Sequence, residues 1–518
     1  MLPYFHPISL AIYALSVFTY ICWQKYCRNK KIRAWGCEEA QHQVSGLRYG
    51  FSLLRAAYDR QWLPFLEQQH HQYGHTFRFS MANNNMIFTI SPDNIQTVLS
   101  TKFSDFGMAP SRQRAWKPFL GKGIFTLDGE AWSHSRKMIT PMFAQKRWSD
   151  FTQFDRLVDR FLAGLPTDGS TIDIEDQLEQ LFLMSTTNYF LGEDAATSPL
   201  FRLNGSEQNT TSSTHGQRFS EAIKRSERMT AWRTILSQVY WVFNTRTYHR
   251  DNRTIQNFAD YFADRAVERR KMGKVEQSDP GFTYLDSLAE HASDRQALRS
   301  QISQVFIAAS RDPPSLLAST FYLLARHPRV WDKLQAEIRE VFGDDLSNPR
   351  EEINMATLSK MSYLRHVLDE ALRLIPPVPF NMRVALRDTT LPMGGGPDGS
   401  SPIFIRKGDR VCYSTAALHK REDIWGSDAC AFRPERWEDL QLQPCEFIPF
   451  NFGPRICPGQ HYAIAQTSYV LVKVMQRFNG LEPAQADQFP VTQPIIDEKL
   501  TTSHYDGVSV RLLRSASA

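Results

Sequence analysis

The 518-residue sequence has little charge of either sign to spare and no internal repeat. Lys and Arg number 60 against 55 Asp and Glu, a net charge of +5. That surplus is too mild to argue for a nucleic-acid partner. The seven cysteines are odd in number and irregularly spaced. A disulfide framework fits this pattern poorly, and a reducing compartment is expected for most of the chain. His70, His71 and His75 do not form a His-Glu-x-x-His pattern, and no Gly-x-Ser-x-Gly elbow occurs. Zinc-protease and serine-hydrolase chemistry are set aside on that basis. The glycine cluster MGGGPDGSS (393–401) does not open a helix, so it reads as a turn and not as a phosphate loop. With 42% hydrophobic and 22% charged residues, the composition is that of a globular protein, neither disordered nor many times membrane-spanning.

One long hydrophobic run is present. From Ile8 to Trp23 the sequence carries no charge, and extension back to Leu2 gives about the ~20 residues that cross a bilayer. Lys25, Arg28, Lys30, Lys31 and Arg33 follow at once. Positive charge collects on the cytoplasmic flank, whereas a cleaved signal would carry it before the apolar run. Residues 1–24 are thus expected to be a single membrane anchor, with the body in the cytosol. The Asn-x-Ser/Thr sites at Asn204, Asn209 and Asn252 would then stay unmodified. Residues 25–59 read as a basic flank and linker, and residues 60–518 as one catalytic domain.

Within that domain, Thr76–Ser80 and Asn85–Ile90 read as short strands around a turn at Ala82–Asn84. From about Asp128 to Glu340 the pattern is mostly helical. Residues 202–217 are polar and read as a surface loop, and strand-like runs return between Arg383 and Tyr413. The fold class is mainly α (α+β): a helix-rich body with a small strand-rich portion.

The sharpest chemical signal is FNFGPRICPG, from Phe450 to Gly459, followed by a helical stretch from His461. A cysteine just before a helix N-terminus lies among free N–H groups at the positive end of the helix dipole, which favours a thiolate. Gly453 and Gly459 permit a tight loop and close backbone approach, and Arg455 offers a fork of donors to a carboxylate. Cys412, Cys430 and Cys445, lacking this setting, read as structural thiols.

This loop resembles the haem-binding loop of the cytochrome P450 superfamily, F-x-x-G-x-R-x-C-x-G. By average residue usage it would arise by chance on the order of 10⁻⁴ times in a chain this long. The resemblance runs from about residue 60 to the C-terminus and is strongest to fungal microsomal members that hydroxylate alkanes and fatty acids. It implies heme b held through Cys457, with Phe450, Arg455 and Gly459 in the loop around it. Trp132 and Arg136 resemble the pair that meets a haem propionate; Arg383 and His419 are further candidates for that role. Glu370 and Arg373 resemble the Glu-x-x-Arg pair that locks to an arginine, here Arg436, in FRPERW (432–437).

The resemblance also implies an NADPH–cytochrome P450 reductase as electron donor, since the chain shows no flavin or dinucleotide motif of its own. A small apolar substrate, a lipid or a fungal secondary metabolite, is implied as well. So is an endoplasmic-reticulum membrane location, with no nucleic acid as partner. Residues 111–119, 307–314 and 377–382 are expected around the substrate, with Ile307, Val378, Phe380 and Met382 giving an apolar wall.

The likeness breaks at one place. Where the family reads Ala-Gly-Arg-Asp-Thr-Thr, this chain reads Ala309-Ser310-Arg311-Asp312-Pro313-Pro314. In the family, the first threonine of that motif and its acidic neighbour order the water that delivers protons. A mid-helix proline removes an N–H and costs ~3 kcal/mol or more, so the helix is expected to open around Asp312 and free carbonyls near Ala308 and Ala309. Three readings follow. Protons come through Asp312, Ser310 or Ser315; a substrate hydroxyl replaces the threonine; or the enzyme is an isomerase or dehydratase without the usual oxygen activation. Pro458 similarly removes an N–H beside the cysteine, which predicts an electron-rich sulfur and a low haem potential.

Overall fold

A helix that is apolar on every side has to be buried. Arg295–Arg326 is such a helix: Leu316, Leu317 and Ala318, and again Phe321, Tyr322, Leu323 and Leu324, follow one another round the helix and are all buried. The computed structural model describes residues 7–81, 84–143, 151–193, 212–272, 283–292, 294–343, 350–484 and 494–514. The helices used below are α1 (Pro7–Ala34), α2 (Leu47–Tyr58), α3 (Pro110–Leu120), α4 (Gly129–Ile139), α5 (Ile174–Leu191), α6 (Ser212–Leu236), α7 (Arg246–Met272), α8 (Arg295–Arg326), α9 (Ser362–Leu374) and α10 (Gln460–Arg477). The long α8 is the axis of the molecule, packed against α5, α7, α9 and α10. Its N-terminus is capped by Asp294, whose Oδ1 accepts from the Ala297 N–H at 2.7 Å.

The strands are β1 (Gln43–Ser45), β2 (Thr76–Met81), β3 (Asn84–Thr89), β4 (Phe106–Gly107), β5 (Thr171–Asp173), β6 (Phe380–Ala385), β7 (Thr389–Gly395), β8 (Ser401–Ile405), β9 (Arg410–Ser414), β10 (Gly480–Pro483), β11 (Ile496–Glu498), β12 (Thr502–His504) and β13 (Ser509–Leu513). A six-stranded sheet has the order β1-β2-β3-β9-β6-β4. β7 and β8 form a hairpin whose turn is the glycine cluster, with Gly394, Gly396 and Gly399 all at positive φ. β11 and β12 form a second hairpin, with Lys499–Thr501 at its tip.

Residues 25–59, expected as a basic flank and linker, are folded onto the body. Ile32, Cys37 and Phe404 make a small core of their own, and β1 pairs in parallel with β2. In α2, Leu53 and Ala56 face inward at helical spacing, while Gly50 weakens the helical signal in the sequence. The polar stretch 202–217 is likewise helical from Ser212 onward; residues 202–211, with Asn204 and Asn209, lie outside the described residues. Asn252 is buried in α7. The turn residues 82 and 83 also lie outside the described residues.

α1 covers most of the expected anchor and continues through the basic flank. Its end is tied down by Arg28 to Glu39 and by Lys31 to Asp388 at 2.7 Å. Among the described residues no helix is long and apolar enough to cross a membrane. The expected transmembrane helix is therefore not a feature the structure supplies.

Candidate functional site

The loop 450–459 leads into α10 and closes on itself, with the Cys457 N–H donating to the Phe450 carbonyl at 2.9 Å. Gly453 has φ +68°, and a Cβ there would stand 2.0 Å from the Leu99 carbonyl oxygen. No other residue fits. Gly459, just before α10, is less tightly enclosed, with the Phe143 ring 2.9 Å from where a Cβ would be.

The helix dipole does not win at Cys457 in the protein alone. Burial pushes its thiol up to about 11, and the Asp312 carboxylate adds to the rise. The Gly459 N–H and Arg136 pull the other way and are outweighed. Pro458 contributes no N–H, so Gly459 is the donor that the loop turns toward the sulfur. A bound metal cation, which deprotonates a coordinated thiol outright, would supply what this setting lacks.

Beside the loop, three guanidinium groups converge. Arg112 in α3 and Arg383 in β6 both donate to Asn381 Oδ1, at 3.1 and 3.0 Å. Arg455 reaches Asp128 Oδ1 at 2.7 Å and the Leu127 carbonyl at 3.0 Å, and lies 4.4 Å above the Trp132 ring. Burial and mutual repulsion pull Arg112 down to about 9 and Arg455 to about 10, with Asp128 the nearby carboxylate that opposes this. The Nε atoms of Arg112 and Arg455 are buried and unpartnered. A buried cationic surplus with spare donors fits a ligand carrying two carboxylates, as haem does. Cys457 on one side and this cluster on the other are thus a donor set suited to that group.

Not every expected residue joins it. Arg136 donates to the Ile456 carbonyl, beside the cysteine, while its partner Trp132 is covered by Arg455. His419 is turned away: it is buried between Trp425 and Phe447, and its Nε2 accepts from the Ile448 N–H at 2.9 Å. Burial and Arg373 lower it to about 3, so it is neutral. Arg112 was missed by sequence reasoning, because nothing in PSRQRAWKPF sets it apart from its neighbours Arg114 and Lys117.

Glu370 and Arg373 face each other on α9 with two parallel contacts, at 2.8 and 2.9 Å, both fully buried. Arg436 donates to the same carboxylate at 2.9 Å and Trp437 Nε1 at 3.0 Å. Arg373 spends its other donors on the carbonyls of His419 and Ala431. This knot ties α9 to the segment leading into the cysteine loop.

On α8 the two prolines do not break the helix. Pro313 and Pro314 are buried inside a continuous run, so packing on all sides overrides the local penalty. The carbonyls of Ala309 and Ser310 lose their usual donors four residues on. Ser310 is buried, and its hydroxyl donates back to the Ile307 carbonyl at 3.3 Å. Asp312 is half-buried, and burial raises its carboxyl to about 6. Ser315 shares a hydrogen bond with Thr502 at 3.4 Å.

The alternation of β6 separates its side chains: Asn381 and Arg383 turn toward Arg112, whereas Phe380 and Met382 pack with Leu66, Phe77 and Phe88. Phe380 and Met382, expected to wall the substrate, thus pack against a core cluster. Ile307 is buried on α8, and Val378 is half-buried.

Comparison with known proteins gives a consistent set. The family model described as "Cytochrome P450" matches residues 47–501. "Cytochrome P450 52A12" of Debaryomyces hansenii is 33% identical over 485 residues, covering 92% of each chain. "Cytochrome P450 monooxygenase fsdH" of Fusarium heterosporum is 33% identical, covering 95% of this chain and 86% of its own. "Cytochrome P450 monooxygenase g430" of Fusarium sp is 37% identical, covering 88% and 82%.

Proposed function

We propose, from the premise that the chain belongs to the cytochrome P450 family of oxidoreductases, that it is a monooxygenase acting on a C–H bond of an apolar lipid or fungal secondary metabolite. The family carries haem on a cysteine thiolate and draws on NADPH through a redox partner; the haem supplies the oxygen-activating chemistry. Cys457 is the ligand, because its sulfur lies within electrostatic reach of Asp312 of α8, in the same loop that carries Arg455 of the cationic cluster. That juxtaposition is the observation that carries the assignment.

The residues of this chain have separate tasks. Arg112, Arg383 and Arg455 hold the carboxylates and fix the orientation of the bound group. Gly453 and Gly459 let the loop close tightly, and the Phe450 carbonyl holds it by accepting from the Cys457 N–H. Arg136 neutralises charge near Cys457, and Glu370, Arg373 and Arg436 hold the loop's approach in place. Asp312 is the proton-holding group of α8, since Ser310 is engaged by its own helix. The isomerase or dehydratase alternative rested on the loss of the helix's hydroxyls; it is not favoured, because α8 stays intact and the relatives named for an activity are monooxygenases.

Membrane attachment through residues 1–24 is part of the same reading. Exposed Trp23, Phe51, Tyr58, Trp241 and Val242 support it as apolar surface outside the core. The test uses the full chain in microsomes with an NADPH reductase and ¹⁸O₂. Label incorporated into an aliphatic acid or secondary metabolite supports the proposal. Turnover without oxygen consumption overturns it.

A further inference from the structure

The hydroxyl missing from α8 has a counterpart on another element. Thr501, at the tip of the β11–β12 hairpin, donates to Asp312 Oδ1 at 2.6 Å. The tip is fastened where it stands. The Thr502 N–H donates to the Pro377 carbonyl at 2.9 Å, and the Thr502 hydroxyl lies 3.4 Å from Ser315 on α8. Thr501 itself is buried, so its hydroxyl is held against Asp312 and away from bulk water.

We propose that Thr501 and Asp312 together form the acid–alcohol pair that passes protons into the site, the hairpin supplying the hydroxyl that Pro313 denies to α8. This rests on the monooxygenase reading and deepens it. The step moves one proton and no electrons. Protonated Asp312 gives its hydrogen to Thr501 Oγ1, the threonine's own hydrogen passes to water in the site, and Asp312 is left as the carboxylate.

A buried charge cluster stands behind the pair and can refill it. On α8, Arg311 pairs with Glu179 of α5 at 2.8 Å and lies 3.4 Å from Glu227 of α6. Lys499 on the hairpin pairs with Asp497 at 3.1 Å, and Asp497 also meets Arg228 of α6. Glu175 of α5 accepts from the His504 N–H, and Lys224 of α6 meets Glu179. Glu179, Glu227, Glu175, Asp497 and Asp312 are thus five carboxyl groups gathered around Arg311 and Lys499, the two buried cations; Lys224 and Arg228 reach solvent. Both carboxylate oxygens of Glu227 are buried without a hydrogen-bond partner. Surplus buried carboxyl groups of this kind hold protons, and burial raises Glu227 to about 7 and Glu175 to about 8. The partly exposed Lys224 and Arg228 mark where the cluster meets the surface.

The test compares Thr501→Val and Thr501→Ser with the parent holoprotein, without substrate, in the presence of reductase and NADPH. Oxygen that receives four electrons and four protons from NADPH, the reductase and the relay leaves as water; when proton delivery lags, it leaves after two of each as hydrogen peroxide. Thr501→Val is expected to raise peroxide formed per oxygen consumed several-fold, and to change the solvent deuterium isotope effect; Thr501→Ser restores both. In the resting ferric protein, the infrared carboxyl band assigned by Asp312→Asn should titrate at higher pH in Thr501→Val, since the donor to the carboxylate is gone. Unchanged peroxide yield with an unchanged titration overturns the relay. Equal losses in the Val and Ser variants also overturn it, as hairpin packing alone would then explain them. A parent protein that consumes no oxygen contradicts the monooxygenase reading instead, and the infrared titration still decides whether the pair is coupled.

Discussion

Arg112 and Arg383 share a single acceptor, Oδ1 of Asn381, although they come from α3 and β6, more than two hundred residues apart in sequence. Two like charges brought to one atom repel each other, and burial adds to the cost. Such an arrangement persists where a ligand of opposite charge completes it. Arg112→Leu is expected to weaken haem retention, with a loss of about 2 kcal/mol, roughly thirtyfold. The same change should leave the haem-free protein equally or more stable. Haem-to-protein absorbance after gel filtration and a thermal melt measure the two effects; retention as tight as in the parent would contradict the assignment.

Glu370 is a different case, because its charge is already satisfied. Removing it strands Arg373 and Arg436 in a fully buried site. Glu370→Ala is expected to cost ~3–5 kcal/mol. Chemical denaturation of the holoprotein checks this. A midpoint within error of the parent would show that the knot carries no stability.

Pro458 sits between the sulfur and the Gly459 N–H that donates to it. Pro458→Leu adds a donor next to the thiolate, disperses its charge and should raise the haem reduction potential. Spectroelectrochemical titration of the two proteins reads the shift. A potential that falls or stays put would contradict an electron-rich sulfur.

Glu175 links the buried cluster to stability. Burial and neighbouring Glu179 raise its carboxyl to about 8 against an ordinary value of 4.5. Between those values the folded chain holds a proton that the unfolded chain has lost, so this group makes stability fall as pH rises, by up to roughly 1.4 kcal/mol per pH unit. Glu175→Gln keeps one acceptor oxygen for the His504 N–H without a titrating proton. The variant should lose less stability than the parent from pH 5 to 8, measured by denaturant midpoints. Parallel curves would refute the shift.

Much of the site was legible because its chemistry is local in sequence. The loop from Phe450 to Gly459 and the Glu370–Arg373 pair announce themselves by residue type at fixed spacing. Arg112 and Thr501 do not: each is brought to the site by tertiary packing, with nothing unusual in its neighbours. The unbroken course of α8 through Pro313 and Pro314 also escaped local reasoning, since burial on every side supplies what the lost N–H groups would have given. In residues 25–59 the signal was weak for another reason, a glycine within a short helix and a three-residue strand that only its pairing with β2 defines.

The central claim is that the Cys457 sulfur binds the haem iron. It is tested most directly by the spectrum of the reduced protein under carbon monoxide. The parent should show the strongly red-shifted Soret band of a thiolate-ligated haem, and Cys457→Ser should lose it while Cys445→Ser keeps it. A colourless parent, or a Cys457→Ser protein with an unaltered band, would contradict the account.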